Sequence, residues 1–240
     1  MPSISFRTPA GYSVPAVTAA EMRDVDRIAV EEVGLKLLQM MENAGRALAR
    51  CVCEVQGDAD TVVVAAGNGG NGGGGMACAR HLTNRGVPVE IILDRPPGAL
   101  SGAAAHQHRI LDEMDVPHAK GVDQLTRPDE PIVVDALIGY GLEDEVRSPT
   151  DEYIDIINDR SDSIVSLDIP SGIDATSGEA LGSAVEPDRT LTLALPKTGL
   201  TTVPGELLLA DIGIPETVYE RLGIEYTTPF EERDRVELVQ

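Results

Sequence analysis

The sequence predicts an α/β protein in three layers, with a doubly wound, mostly parallel sheet between two layers of helix. Two observations carry this expectation. Short β-branched apolar runs alternate with amphipathic helical segments along most of the chain, which is the signature of repeated βα units. Within the runs, consecutive residues are apolar rather than every second one, as strands buried on both faces require. A length of 240 residues with 42% hydrophobic content is enough for one domain with a well-buried core.

The elements follow in order. "VPAVTAAEMRDVDRIAVEEVGLKLLQMMENAGRALARCVCEV" reads as two helices separated at Gly34. Thr18 and Glu21 have the spacing of a capping box, and Met22, Val25 and Ile28 recur at helical intervals. "TVVVAAG" (61–67) reads as a doubly buried strand. It runs into "GNGGNGGGGM" (67–76), read as a loop, and then into a helix over "MACARHLTNRG" (76–86) that stops at Gly86. The alternation continues with strand "VPVEIILD", a helix within "ALSGAAAHQHRILDEM", strand "PIVVDALIG", helix "SPTDEYIDIINDR" and strand "SIVSLDIPSG". Asp151 and Glu152 stand in that last helix's first turn, where the dipole favours acids. Strands "RTLTLALP" and "GELLLADIG" and a short helix from Pro215 complete the series. The whole chain reads as a single domain, 1–240, with its core at about 17–220 and peripheral tails at both ends.

Charge narrows the class of function. A net charge of −21 argues against binding through nucleic-acid phosphates, which needs clustered basic residues. The 3 Lys, 16 Arg and 40 acidic residues, with only 3% aromatics, describe a surface that stays hydrated in high salt. The composition therefore reads as that of a halophile's cytoplasmic protein, with a simply acidic protein as the alternative reading. Cys51, Cys53 and Cys78 form no metal or disulfide pattern. No run is long enough to span a membrane, and "MPSISFRTPAGYS" lacks a signal peptide's apolar centre. The four histidines have no metal-site spacing.

Ligands of such sheets bind at the carboxyl ends of the strands, and three strand ends here are distinctive. After strand 61–66, Gly67, Gly69 and Gly72 permit close backbone approach, and a helix N-terminus follows that can receive phosphate. A plain strand-to-helix turn is the alternative reading. In "VVDALIGYGLEDE" (133–145), Asp135 interrupts an apolar strand end and needs a cation or donors, unless it simply caps the next turn. In "SLDIPSGIDATSG" (166–178), Asp168 precedes a forced Pro170-Ser171-Gly172 turn and is placed to act as a general acid or base. Turn capping is the alternative there, and for Asp174 the better one.

Six motifs in order, "LLQMMENAG", the glycine loop with "ARHL", "VVDALIGYGL", "LDIPSGIDATSG", "LTLALPKTGL" and "ADIGIP", resemble the YjeF N-terminal domain family of NAD(P)H-hydrate (NAD(P)HX) epimerases. The resemblance covers about residues 17–220. It implies a Rossmann-like α-β-α sandwich, often a homodimer, that interconverts the R and S forms of NADH or NADPH hydrated at nicotinamide C6. A separate dehydratase then repairs the S form. In many microbes it is fused at the C-terminus, and this chain ends before such a domain.

Carried over, the family's potassium site matches Asn71, Asp135 and Ser171, whose oxygens suit a hard cation. Substrate contacts are implied for Gly70, Asn71, Gly72, Gly73 and Gly74, for Gly139, Tyr140, Gly141, Leu142, Glu143, Asp144 and Glu145, and for Asp168. In the chemistry this suggests, Asp168 protonates the departing C6 hydroxyl, leaving a ring iminium. Water returns to the other face and gives its proton to Asp168 or a neighbour. Lys197 also falls in a family motif, "PKTGL", and the resemblance gives it no definite role beyond ordering that loop. The sequence departs from the family's usual loop, G-P-G-N-N-G-G-D-G, at Asn68, Gly70 and Gly74, and at Gly74 a substrate-side carboxylate is lost. Two rivals follow: a nucleotide-binding or dimeric scaffold without turnover, and an NAD-linked dehydrogenase. Against the second, the strand "VPVEIILD" lacks a convincing ribose-binding context, even though Asp94 is placed near its end.

Overall fold

The computed structural model describes residues 4–55, 61–119, 125, 131–161 and 163–239. An N-terminal hairpin pairs β1 (Ser5–Arg7) with β2 (Ser13–Pro15). The main sheet holds β3 (Val62–Ala66), β4 (Val89–Leu93), β5 (His118–Ala119), β6 (Ile132–Ala136), β7 (Ser163–Leu167), β8 (Arg189–Leu193), β9 (Glu206–Ala210) and β10 (Arg235–Leu238). Their spatial order is β10-β9-β8-β7-β6-β3-β4-β5. All neighbours are parallel except β10, which runs antiparallel to β9 at one edge. The chain walks outward from β3 to β5, then returns to β6 on β3's other side and walks the opposite way. The crevice between β3 and β6 is therefore the topological switch point, where ligands of open α/β sheets bind.

Among the described residues six α-helices accompany the sheet: α1 (Ala19–Arg27), α2 (Leu37–Val55), α3 (Gly70–Thr83), α4 (Gly102–Glu113), α5 (Thr150–Arg160) and α6 (Glu216–Arg221). The Thr18–Glu21 capping box opens α1 as expected. A π-helical turn, Ile28–Val33, links α1 to Gly34, whose φ of 85° ends it. Strand side chains alternate between the layers. Val62, Val64 and Ala66 pack with Leu48, Met76 and Leu82 of α2 and α3, while Val63, Ala65 and Val133 pack with Tyr153, Ile154 and Ile157 of α5. The three-layer expectation is met by this alternation.

Two sequence expectations change. The terminal segments are not peripheral: Phe6, Val14, Val236 and Leu238 are buried in a third cluster with α1 and α6, and Arg7 bridges to Val239. Helix α3 begins at Gly70 rather than Met76, so most of the glycine stretch is helix. Glycine costs about 1 kcal/mol relative to alanine at each helical position, which is why the stretch reads as a loop. Close packing overrides that propensity. Among the described residues no helix is long and apolar enough to cross a membrane.

Candidate functional site

The glycine stretch divides into two parts with different work. A Cβ on Gly67 would lie 2.0 Å from the Leu137 carbonyl oxygen, and one on Gly72 would lie 1.8 Å from the Gly67 carbonyl oxygen. Here only glycine lets the start of α3 press against the ends of β3 and β6. Gly69 and Gly70 are the opposite case, with nothing within 4 Å of an added Cβ. Gly69, Gly70, Asn71 and Gly74 line a cavity of about 780 Å³, whereas Gly72 and Gly73 are buried and do not. The expected substrate contacts at Gly72 and Gly73 are thus packing positions, because their helical turn faces Gly67 and Met41 instead.

Asp135 closes β6 and is fully buried. Its Oδ1 accepts from the Ser171 hydroxyl at 2.5 Å and the Leu137 N–H at 3.3 Å. Oδ2 accepts from the Ser166 hydroxyl at 2.8 Å and the Ser171 N–H at 2.9 Å. Burial pushes its carboxyl above the ordinary range, against the pull of the Ser171 hydroxyl and the other donors. Asn71 reaches the same place from the first turn of α3, its amide donating to the Ile138 carbonyl at 3.1 Å. The Ser171 hydroxyl also touches that carbonyl at 3.2 Å and accepts from the Ile138 N–H at 2.8 Å. Asn71, Asp135 and Ser171, far apart in the sequence, are therefore brought together.

Asp168 is the first residue after β7. Its φ of 68° is left-handed, a conformation that Asp tolerates better than most residues. The turn sends its side chain toward β8: Oδ1 accepts from Lys197 Nζ, from the Leu193 N–H at 3.2 Å and from the Thr192 hydroxyl at 3.4 Å. Lys197 is 1% exposed and Asp168 4%. Among the described residues nothing donates to Asp168 Oδ2. Lys197 Nζ also donates to the Leu193 carbonyl at 3.0 Å and sits 5.7 Å from the Tyr140 ring centroid. Tyr140 donates its hydroxyl to Asp26 of α1. Burial raises the Asp26 carboxyl, opposed by the Tyr140 hydrogen bond and Lys197 and reinforced by Asp168. Burial, then the Asp26 charge, raises the Tyr140 phenol.

All four of these side chains line the one cavity, which runs from Asp94 and Arg95 after β4, past the start of α3, to Asp168 and Lys197. Met22, Leu37, Met40 and Met41 supply an apolar wall. Of the second expected segment, Gly139, Tyr140 and Gly141 line the cavity, while Leu142, Glu143, Asp144 and Glu145 line an adjoining cleft that shares Ile138, Gly141 and Thr150 with it. Glu143 is held by Arg23 at 2.6 Å. Lys197 is more than a loop-ordering residue, and Asp26 was missed. Its only sequence signal was an acid on the apolar face of α1, four residues after Met22. Asp174 caps its turn as expected, accepting from the Thr176 and Ser177 N–H groups at 3.0 and 2.6 Å.

A family model described as "YjeF-related protein N-terminus" matches residues 37–199. The chain belongs to the YjeF_N family. The match spans Asn71, Asp135, Asp168, Ser171 and Lys197. Among curated relatives, an NAD(P)H-hydrate epimerase of Dehalogenimonas lykanthroporepellens is 42% identical over 235 residues, covering 95% of this chain and 94% of its own. A Weissella koreensis protein of the same name is 35% identical, covering 83% and 91%. The bifunctional NAD(P)H-hydrate repair enzyme of Salinibacter ruber is 37% identical over 86% of this chain, which spans only 42% of that longer protein. The fold of this YjeF_N chain superposes on the crystal structure of yeast ynu0 with a TM-score of 0.81 at 23% identity, over 94% and 99% of the two chains.

Proposed function

We propose that this chain is an NAD(P)H-hydrate epimerase, an isomerase that interconverts the R and S hydrates of NADH and NADPH at nicotinamide C6. The observation that carries the reading is the buried Asp168–Lys197 pair on the wall of a cavity that also opens onto the first turn of α3. The α3 N-terminus suits the substrate's pyrophosphate. Epimerisation needs the C6–O bond to break with the ring nitrogen's electron pair forming an iminium, and water to add to the opposite face. The departing oxygen needs a proton and the incoming water must lose one. The Lys197 ammonium holds a proton against Asp168 Oδ1, so the pair can deliver one proton and recover one, leaving the protein unchanged. The apolar wall of Met22, Met40 and Met41 limits bulk water around the iminium.

A potassium ion fits the Asn71–Asp135–Ser171 cluster. Among the described residues no cationic side chain pairs with fully buried Asp135, and the Ser171 hydroxyl and the Ile138 carbonyl beside it are hard oxygen ligands; the Asn71 amide, which here donates its N–H to that carbonyl, would turn its oxygen to the ion. When bound, the ion supplies fixed positive charge beside the start of α3. We further infer a soluble, cytoplasmic protein adapted to high salt, from its charge of −21, and a homodimer, from exposed Val30, Val33, Leu37 and Leu38 around the α1–α2 junction. A dehydratase acts after it, as the bifunctional names of its longer relatives suggest.

The test is a coupled assay in high-potassium buffer, using mixed R and S hydrated NADH and an S-specific dehydratase. The reading predicts that the R form is consumed well above its spontaneous epimerisation. Consumption at the spontaneous rate overturns it.

A further inference from the structure

The cavity has a second charged end that the proposed chemistry does not use. Asp94 directly follows β4, is 8% exposed, and its N–H donates to the Ala66 carbonyl at 3.3 Å. Both its oxygens are taken by its neighbour: Arg95 Nε donates to Oδ1 and Nη2 to Oδ2, each at 2.8 Å. The Arg95 side chain is 40% exposed, and among the described residues its Nη1 has no partner. Asp94 and Arg95 line the cavity together with Asn68, Gly69 and Gly70. Asn68 in turn accepts from the Ser101 N–H at 2.7 Å, which fixes the start of α4 beside the same rim.

This end lies three strands from the Asp168 end. The order β4-β3-β6-β7 separates them by three inter-strand steps, roughly 14 Å at the usual sheet spacing. A dinucleotide laid across a switch point places its pyrophosphate on the central helix N-terminus and its two nucleosides on either side. If nicotinamide C6 is at Asp168, the adenosine ribose falls after β4. In that position an open carboxylate accepts from the ribose 2′-hydroxyl, whereas an arginine accommodates a 2′-phosphate. Here the carboxylate is closed by two hydrogen bonds, and the guanidinium is the group left facing outward. Its plane is already held by Asp94, so little freedom is lost when it binds an anion.

We propose that Arg95, braced by Asp94, receives the 2′-phosphate of the adenosine ribose, so that this chain prefers the phosphorylated dinucleotide hydrate, with adenosine at the β4 end and nicotinamide at the β7 end. This rests on the epimerase reading for the identity of the ligand. Arg95 is a specificity residue, remote from the reacting carbon.

The experiment is calorimetric titration of the full chain with 2′,5′-ADP and with 5′-AMP, which lacks only the 2′-phosphate, at one fixed potassium chloride concentration. It is paired with epimerisation rates for the two hydrates. The wild type is expected to bind 2′,5′-ADP about tenfold to a hundredfold more tightly, the worth of a charge-assisted hydrogen bond. Its KM is expected to be lower for the NADPH hydrate. Arg95→Ala should remove that advantage, raising KM for the NADPH hydrate toward that for the NADH hydrate, since a uniform-binding contact acts on KM. Arg95→Gln keeps a donor to Asp94 without the charge and serves if the alanine variant does not fold. Equal wild-type binding of the two nucleotides, or an Arg95 variant that weakens both equally, overturns the proposal. Epimerisation of both hydrates with no preference overturns it while leaving the epimerase reading intact; absence of any epimerisation overturns the reading beneath it.

Discussion

Replacing Lys197 with methionine removes an ammonium while keeping most of the stem that fills its buried site. Lys197 is 1% exposed and its partner Asp168 4%. Without the ammonium, Asp168 Oδ1 keeps only the Leu193 N–H at 3.2 Å and the Thr192 hydroxyl at 3.4 Å. Two long bonds do not compensate a buried charge. Breaking a buried ion pair by removing one partner costs about 3–5 kcal/mol. For a chain of this size each kcal/mol shifts the melting midpoint by about 2–4 °C, so the fall should be about 6–20 °C. A domain in the upper part of the ordinary range, about 10–15 kcal/mol, stays folded at 25 °C after such a loss, whereas one at about 5 kcal/mol would be partly unfolded. Urea titration and thermal melting at neutral pH and fixed salt measure it. The double variant Asp168→Asn/Lys197→Met should lose less than the sum of the two single variants, by about 0.5–3 kcal/mol. A loss below about 1 kcal/mol for Lys197→Met, with additive behaviour in the double variant, would refute a buried, mutually dependent charge pair.

Three further outcomes are expected. Gly72→Ala forces a Cβ to within 1.8 Å of the Gly67 carbonyl oxygen and should destabilise by about 1–3 kcal/mol or more. Gly70→Ala, with nothing within 4 Å, should be neutral or stabilise by about 0.4–1 kcal/mol; urea midpoints of the two variants check this. The Asp174 carboxyl is held below its ordinary value by the Ser177 and Thr176 donors, so its contribution is present above the unfolded value and is lost as pH falls through the folded one. The stability gap between wild type and Asp174→Ala, read by denaturant titration across pH, should therefore narrow below about pH 4. If potassium occupies the Asp135 cluster, melting temperatures should be higher in potassium chloride than in choline chloride at equal ionic strength, and Asp135→Asn should abolish the difference.

Much of the fold was legible because the strands are doubly buried and read as continuous apolar runs, and because Thr18, Gly34 and Gly86 punctuate the helices in the usual way. The helical glycines were not legible. Propensity assigns residues 70–75 to a loop, whereas in the helix Gly72, Gly73, Gly74 and Gly75 pack so closely on Gly67, Met41, Leu167 and Ala136 that an added Cβ would clash. The terminal strands β1, β2 and β10 are too short for a periodic signal, and the bridge from Arg7 to Val239 joins ends more than two hundred residues apart. In the site, Asp135 and Asp168 stood out as acids in apolar strands. Asn71 and Ser171 needed the family resemblance. Neither route indicated that Lys197 and Asp26 converge on the same wall, since both arrive from remote segments through tertiary packing. Gly74 retains its significance as a departure: it lines the cavity, and a Cβ there would meet Leu167 Cδ2 at 2.7 Å.

The most direct measurement starts from the pure S hydrate of NADH, with no dehydratase present, and follows the approach to R/S equilibrium by chromatography. Wild type and Asp168→Asn are compared at matched folded concentration. General acid–base catalysis by the Asp168–Lys197 pair predicts that the wild type exceeds the variant by about 10²-fold or more, with the variant near the spontaneous rate. Equal rates for the two proteins would contradict the placement of the chemistry at Asp168.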